Sequence, residues 1–244
     1  MVRSPKLTRT ISSRATRPDH FRVTDMSSES IEDYIKAIFQ LGTSDELVQT
    51  SAIADRLDVR PASVSNMMRR LATLGFLIHE PYRGVRLTEE GELLARRMVR
   101  RHRLIERFLV EILDYPWDEV HEEAERLEHA VSPRFVNRLD QLLENPATDP
   151  HGAPIPASDG TMDESAHPAL IELHTGESAC VRRVRDGDGD LLRQFGQLGI
   201  RPDAMVEVLE ATNDEGTMTL RVGDEVCRLD HAAASGVFVE RTAD

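Results

Sequence analysis

Apolar residues recur at three- and four-residue spacing near the start of the chain, which is the period of an amphipathic helix. The first such run begins at Ser30 and stops at Gly42. Two shorter helical runs follow, one with Thr50 as its capping residue and one opened by Pro61, and only residues 58–60 separate them. Because a corner of this length joins two packed helices, the pattern predicts a helix followed by a helix-turn-helix.

The pattern of polar and apolar residues changes after Gly75, which ends the third helical run. Two short runs rich in apolar residues, 76–80 and 85–87, flank a turn at 81–84. Such runs on either side of a turn with proline and glycine are typical of a β-hairpin. A helix, a helix-turn-helix and a hairpin in this order predict a winged helix.

Three more helices are predicted downstream, over residues 88–113, 117–131 and 132–143. Ser132 can cap the last of them, and Pro133 suits its first turn. In the first of the three, apolar residues at helical spacing are expected on the buried side. These residues are Leu94, Met98, Ile105, Phe108 and Ile112.

The helices within 117–143 carry more apolar residues than the core of one small domain needs. Apolar surface in excess of a domain's own core marks a protein–protein interface. We therefore expect a homodimer that forms through these helices. The residues expected in the interface are Trp117, Val120, Leu127, Phe135, Leu139 and Leu142.

Prolines and glycines then interrupt the helical pattern. Residues 145–168 hold five prolines, two glycines and several acids, which is the composition of a linker. From Ala169 onwards the apolar residues alternate with a period of two, apart from one short helical run at 191–198. This alternation predicts a small β-barrel of roughly 70 residues.

Residues 1–25 contain six basic residues and only two acids, without any helical stripe, so a disordered basic arm is predicted. Two interpretations of the arm remain open. One is a tail that grasps DNA, and the other is that translation begins at Met26. The second is favoured, because the segment from Met26 would open directly onto the first helix.

Charge and composition narrow the class of protein. The chain has 244 residues and a net charge of −13, which argues against non-specific binding to nucleic acid. Any DNA contact therefore needs a local basic patch. Cys180 and Cys227 form no CxxC pair, and no apolar run has the length of a membrane span or the form of a signal-peptide core. These features predict a reduced, cytoplasmic protein.

Histidines and carboxylates share faces on two consecutive predicted helices. Glu125, Glu128 and His129 stand at i, i+3 and i+4, and His121 lies one turn earlier on the same face. The preceding helix adds His102 and Glu106, again four residues apart. A solvated acidic face is the ordinary explanation of a glutamate-rich helix, but it does not account for histidines at matching spacing. From the residues alone, metal binding and a solvated face both remain open.

A zinc hydrolase is an alternative of another class, and the spacing argues against it. Metalloprotease helices need H-E-x-x-H or H-x-x-E-H. The residue four positions after His121 and four positions before His129 is Glu125, so neither motif is present. The chain also lacks a nucleophile elbow and a glycine-rich phosphate loop, so no enzymatic activity is expected.

The order of these parts resembles the diphtheria-toxin-repressor family of iron- and manganese-dependent regulators, over nearly the whole segment from Ser30 to Glu240. The resemblance implies a mainly α fold with a small β part: an N-terminal winged helix-turn-helix, a helical metal-binding and dimerisation domain, and a C-terminal SH3-like (FeoA-like) β-barrel. The motifs that carry it are Glu32-Asp33-Tyr34-Ile35, Pro61-Ala62-Ser63-Val64-Ser65, Tyr82-Arg83-Gly84, Arg101-His102-Arg103-Leu104, Glu128-His129, His151-Gly152-Ala153-Pro154-Ile155-Pro156 and Leu198-Gly199-Ile200-Arg201-Pro202.

The same resemblance implies the domain boundaries and the site residues. The domains are the basic arm (1–25), the winged-helix DNA-binding domain (26–90), the helical metal-binding and dimerisation domain (91–145), the linker (146–168) and the SH3-like domain (169–244). The implied primary metal ligands are Asp33, Glu125, Glu128 and His129. The implied ancillary ligands are His102, Glu106 and His121, with Asp188 as a looser match from the barrel. The implied DNA-binding residues are Arg60, Ala62, Ser63, Ser65 and Asn66 on the recognition helix and Arg83 in the wing.

The implied function is a cytoplasmic, homodimeric repressor that binds a palindromic operator of double-stranded DNA when Mn(II) or Fe(II) is bound. Sulfur ligands at the positions of Asp33 and Glu125 go with iron in the family, so the oxygen ligands of this chain favour manganese. Lys36 stands where manganese-type members have an acidic ligand, which argues for two separated sites. The alternative is a winged-helix regulator whose metal sites are vestigial, and a metal-dependent enzyme is the third interpretation.

Overall fold

The computed structural model describes residues 28–42, 47–163, 165–212 and 216–242; the predicted basic arm lies outside them. The first five elements form the predicted winged helix. They are α1 (Ser28–Leu41), α2 (Thr50–Leu57), α3 (Pro61–Thr73), β1 (Leu77–Glu80) and β2 (Gly84–Leu87).

The helix-turn-helix corner is set by Asp58, whose φ of 50° lies in the left-handed region, and by Pro61 in the first turn of α3. Thr50 does not cap α2 as predicted. It is already helical, and Gln49 precedes the helix without a side-chain capping bond. The residues predicted to face inward from α3 are buried, and they form one core with α1, the hairpin and the start of the next helix: Val64, Met67, Met68 and Leu71.

A long helix, α4 (Glu89–Leu113), follows the wing, and the Thr88 side chain caps it by accepting a bond from Gly91 N at 3.2 Å. The helix ends at Asp114, which is left-handed with a φ of 55°. Ile112, predicted on the buried side, is 48% exposed, because the last turn of α4 extends beyond the packed core.

The next two helices are α5 (Val120–Glu128) and α6 (Pro133–Leu142). Helix α5 is shorter than predicted, because 117–119 form a turn and His129 is its C-terminal cap. Ser132 caps α6 as predicted, accepting a bond from Phe135 N at 3.3 Å.

Three of the residues expected in a dimer interface are buried within the protomer: Trp117, Val120 and Leu139. They pack against other segments of the same chain, so they are not available to a partner. Two other expected residues, Phe135 and Leu142 of α6, are exposed. Ile112 and Leu113 at the end of α4, and Tyr115 just after it, are exposed as well.

The described residues of the predicted linker contain no helix or strand, yet part of the segment is packed in the interior. Asp149, His151, Ala153 and Ile155 are buried. The carbonyl of His151 accepts a hydrogen bond from Val184 N at 2.9 Å, which fastens the segment to the C-terminal domain. The segment is therefore a structural part of the molecule as well as a connection.

The C-terminal domain is built on a five-stranded antiparallel sheet with the order β6-β5-β4-β3-β7. Its elements are β3 (Ser178–Val184), α7 (Gly189–Gln197), β4 (Met205–Glu210), β5 (Thr217–Val222), β6 (Glu225–Asp230), α8 (His231–Ala234) and β7 (Val237–Arg241). Two details differ from prediction. Leu170–Glu172 is a 3-10 turn where period-two alternation predicted extended chain, and the short helix α8 was not predicted.

Trp117 joins the helical domain to the C-terminal domain. The indole lies in the same buried cluster as Phe195 of α7 and the inward residues of the sheet. The guanidinium of Arg201 stacks over the indole with 4.6 Å to the ring centroid.

Within the described residues, no helix is long and apolar enough to cross a bilayer.

Candidate metal centre and DNA-binding surface

The four residues implied as the primary metal site lie together where α1 meets α5. We call Asp33, Glu125, Glu128 and His129 the junction cluster. His129 Nε2 lies 3.2 Å from Asp33 Oδ1 and 3.7 Å from Glu128 Oε1. Burial raises the pKa of Asp33, an effect that the neighbouring His129 opposes.

Lys36 enters the junction cluster from the next turn of α1. Its Nζ lies 2.8 Å from Glu125 Oε1 and 3.0 Å from each carboxylate oxygen of Glu128. The Lys36 residue is 5% exposed, and a lysine is rarely buried unless its charge is paired. The sequence predicted that the Lys36 ammonium lies near a metal ion. The structure places it between the carboxylates of Glu125 and Glu128.

The three residues implied as ancillary ligands also meet, and we call His102, Glu106 and His121 the histidine group. Glu106 Oε1 lies 2.9 Å from His102 Nε2 and 3.2 Å from His121 Nδ1. The two rings are edge-to-face with centroids 4.9 Å apart. The helical spacing that pointed to these residues thus places their ligand atoms within 4.8 Å of one another.

Burial and hydrogen bonding set the protonation of His102 and Glu106. Burial disfavours the imidazolium of His102, but the Glu106 carboxylate and hydrogen bonds to Glu106 and Glu128 outweigh it and raise the pKa of His102 to about 9. Burial would raise the pKa of Glu106, but His102 and His121 hold it well below its usual range. Nδ1 of His102 therefore donates to Glu128 Oε2 at 2.7 Å, and its 3.2 Å approach to Lys36 Nζ is a contact rather than a hydrogen bond. A metal ion at the histidine group would bind Nε2 of His102, which faces Glu106 and His121, so it must displace the proton on Nε2.

A further group, which sequence reasoning missed, shares Glu106 with the histidine group. Glu106 of α4, Asp149 and His151 of the packed linker, and Asp186 after β3 have ligand atoms within 4.8 Å of one another. We call these four residues the inner group. The sequence signal was the acid and histidine two positions apart in a proline-rich stretch, which the linker composition concealed.

Three atoms of the inner group are buried without a hydrogen-bond partner: Glu106 Oε2, Asp149 Oδ2 and His151 Nδ1. Buried polar atoms are almost always satisfied in native proteins, so a cluster of unsatisfied ligand atoms indicates a bound ion. The charged neighbour of Asp149 Oδ2 is Arg103 Nε at 3.4 Å. The inner group therefore fits a metal ion.

Hydrogen bonds orient the ligands of the inner group. His151 Nε2 lies 2.8 Å from the Trp117 carbonyl and donates to it, which leaves Nδ1 as the ring nitrogen available to a metal ion. Asp149 Oδ1 accepts bonds from His151 N and Ala153 N, which leaves Oδ2 for a ligand role. Burial, and then the nearby charge of Glu106, raises the pKa of Asp149 to about 6. A cation beside these carboxylates would favour their charged forms.

Asp188, the looser ancillary match, does not join any of these groups. Its carboxylate caps α7 by accepting bonds from Asp190 N and Leu191 N at 3.0 and 3.1 Å. These capping bonds engage the carboxylate, and none of the groups of ligand atoms among the described residues includes it. Asp186, two residues earlier, is the residue that this loop contributes.

Gly152 allows the linker to lie against β3. Its φ is +87°, and a Cβ there would lie 2.0 Å from the Arg182 carbonyl oxygen. We expect Gly152→Ala to cost about 1–3 kcal/mol more than Gly176→Ala, because overpacking adds to the backbone strain. Gly176 is the matched control, since its φ is +89° but nothing lies within 4 Å. Urea unfolding measures both variants, and equal losses of stability would contradict the close-approach argument.

The residues implied to read DNA bases lie at the exposed start of α3. Ser65 Oγ donates to the Pro61 carbonyl at 3.1 Å, and Asn66 Oδ1 accepts a bond from Arg69 at 2.5 Å. These local bonds hold the side chains on the helix surface, where they are free to exchange partners. The exposed residues of this surface are Arg60, Ala62, Ser63, Ser65 and Asn66.

The wing presents Arg83 beside the recognition helix. Its guanidinium pairs with Glu80 at 2.6 Å, and its carbonyl accepts a bond from the Gln49 side chain at 2.7 Å. Tyr82 at the tip is fully exposed, with a left-handed φ of 65°. A tip held to α2 in this way gives the wing a fixed position relative to α3.

A winged helix followed by helices with buried histidine–carboxylate groups defines a metal-responsive DNA-binding regulator. Residues 26–85 match the iron dependent repressor N-terminal DNA binding domain, and 88–157 match the iron dependent repressor metal binding and dimerisation domain. Residues 169–241 match the FeoA domain. The chain belongs to the iron-dependent repressor family, whose members are DNA-binding transcriptional repressors.

Individual relatives agree with this assignment. The iron-dependent repressor IdeR of Mycobacterium tuberculosis is 35% identical over 225 residues, which cover 87% of this chain and 97% of that protein. A manganese-dependent transcriptional repressor in complex with manganese is 38% identical, with a TM-score of 0.81, over 87% of this chain and 100% of the other. ScaR with bound Zn²⁺ is 36% identical, with a TM-score of 0.76, over 87% of this chain and 99% of the other. These likenesses confirm the family and the fold class predicted from the sequence.

Proposed function

We propose that this protein is a cytoplasmic transcriptional repressor that binds a palindromic operator as a homodimer when Mn(II) or Fe(II) is bound. It acts in metal-ion homeostasis and has no catalytic role. The observation that carries the proposal is the inner group, where Glu106, Asp149 and His151 each bury a ligand atom without a hydrogen-bond partner. A metal ion bound between α4 and the linker would give these buried ligand atoms the partner that they lack.

The donor set supports these two metals. The inner group supplies carboxylate oxygens and one imidazole nitrogen, and the histidine group adds two imidazoles beside the shared Glu106. Hard oxygen and imidazole ligands suit Mn(II) and Fe(II), whereas thiolates favour softer or later metals. Cys180 and Cys227 belong to neither group. We expect Mn(II) to activate at least as well as Fe(II).

The operator symmetry follows from the docking geometry of a helix-turn-helix. The first residues of a recognition helix meet base edges in the major groove, and a two-fold dimer places two such helices on a palindrome. Ser65 and Asn66 suit hydrogen-bonded readout, and Ala62 suits contact with a thymine methyl group. Arg83 of the wing would contact phosphate, which positions the protein without specifying sequence.

Operator binding measured by fluorescence anisotropy tests the proposal. We expect affinity for a palindromic operator to rise on adding Mn(II) or anaerobic Fe(II) to metal-free protein. The chelated protein and a scrambled DNA of equal length are the controls. Equal affinity with and without each metal would favour the alternative, a winged-helix regulator whose metal sites are vestigial.

A further inference from the structure

The junction cluster and the inner group differ in how their polar atoms are satisfied. Three ligand atoms of the inner group are buried without a hydrogen-bond partner. Within the described part of the chain, no side-chain atom of the junction cluster is buried without such a partner. The side chains of Asp33 and Glu125 are 42% and 41% exposed, so solvent reaches them, and the buried Glu128 carboxylate is paired with Lys36. His129 pairs with carboxylates on α1.

The Lys36 ammonium has the position and the partners of a bound cation. It contacts Glu125 and both oxygens of Glu128 at 2.8–3.0 Å, so its three hydrogens have three carboxylate oxygens to bond. Glu125 and Glu128 stand 89 and 92 residues away in sequence, so the contact joins α1 to α5. The Glu128 carboxylate is as buried as the ammonium, and burial strengthens their attraction.

A divalent ion would need the same oxygens. A metal bound by Glu125 and Glu128 would lie about 2.1–2.2 Å from those oxygens, within a few ångströms of the ammonium. The metal ion and the Lys36 ammonium would repel each other strongly at this distance, because the ammonium and the Glu128 carboxylate are buried. His129 is also engaged, since Nδ1 lies 3.3 Å from Glu32 and Nε2 lies 3.2 Å from Asp33.

We infer that the Lys36 ammonium takes the place of a metal ion in the junction cluster and holds α1 on α5 without a divalent cation. The junction cluster then fixes the DNA-binding domain permanently, and the metal response comes from the groups that share Glu106. This inference rests on the proposed function for the role of the metal, and it replaces the primary site that the family resemblance implied.

Counting bound Mn(II) tests the inference on the full-length protein, with free Mn(II) measured by electron paramagnetic resonance at equilibrium. We expect Lys36→Ala to bind one more Mn(II) per protomer than the wild type. Adding Glu125→Gln to that variant should remove the extra ion. Arg101→Ala is the matched control, because Arg101 contacts Glu32 and the Glu128 carbonyl but no carboxylate of the junction cluster. Its Mn(II) count should equal that of the wild type.

A second comparison keeps Lys36 in place. His129→Ala in the otherwise wild-type chain should leave the Mn(II) count unchanged. This result shows whether the junction cluster binds Mn(II) even where Lys36→Ala fails to fold. An unchanged count in folded Lys36→Ala, or a count lower by one in His129→Ala, would overturn the inference. Failure of the proposed function looks different: the wild type would then bind its operator equally with and without Mn(II), whatever the count.

Discussion

Glu106→Gln is expected to abolish metal-dependent operator binding while the protein remains folded. Glu106 is fully buried and belongs to both the histidine group and the inner group, with one oxygen facing each. Glutamine keeps the shape but removes the negative charge that attracts a cation. Changes even outside the ligand shell lower metal affinity 10–100-fold, so we expect a loss on the order of 100-fold or more here. Isothermal titration with Mn(II) and operator anisotropy measure the two effects.

Glu111→Gln is the matched control for this variant. Glu111 lies on the same helix, pairs with Arg107 at the surface, and belongs to none of the ligand groups. It should leave metal affinity and operator binding unchanged. His151→Ala and His121→Ala then separate the two groups that share Glu106. We expect His151→Ala to reproduce most of the loss. A Glu106→Gln protein that still responds to Mn(II) like the wild type would contradict the assignment.

Leu142→Asp is expected to convert the dimer into a monomer at micromolar concentration. Leu142 is 56% exposed on α6, near Phe135 in sequence and in the domain that matches the family's dimerisation domain. We expect Leu142 to be buried when two copies associate. An aspartate there must lose its water without a partner, which costs several kcal/mol. About 2.7 kcal/mol already weakens association 100-fold.

Val226→Asp is the control for the dimer prediction, because Val226 is equally exposed at 58% but lies on β6 of the C-terminal domain. Sedimentation equilibrium measures the dissociation constants of the two variants and the wild type. Leu142→Asp should also lose the preference for a full palindrome over a single half-site. A dimer of unchanged affinity would show that copies associate through another face.

Much of the fold could be predicted from the sequence because helices and hairpins are encoded locally. Thr88 at the start of α4 and Ser132 at the start of α6 act through hydrogen bonds within one turn. Pro61 at the start of α3 acts through its fixed backbone angle. Some local details failed, such as the predicted Thr50 cap of α2, and other failures involved packing. Ile112 has the helical spacing of a buried residue and is exposed, while Trp117 is buried in a domain that begins about 50 residues later.

The candidate metal site shows the same division between what local sequence predicts and what packing decides. Helical spacing by itself predicted that Glu125, Glu128 and His129 share one face of their helix, and that His102 and Glu106 share a face of the preceding helix. Asp33 was implied only by the family resemblance. Only the tertiary structure decided that Lys36 fills the junction cluster and that Asp149, His151 and Asp186 meet Glu106. These contacts join segments far apart in sequence. Helical spacing fixes the direction of a side chain but not its distant partner, so only packing could place a cation in one cluster and leave ligand atoms unsatisfied in the other.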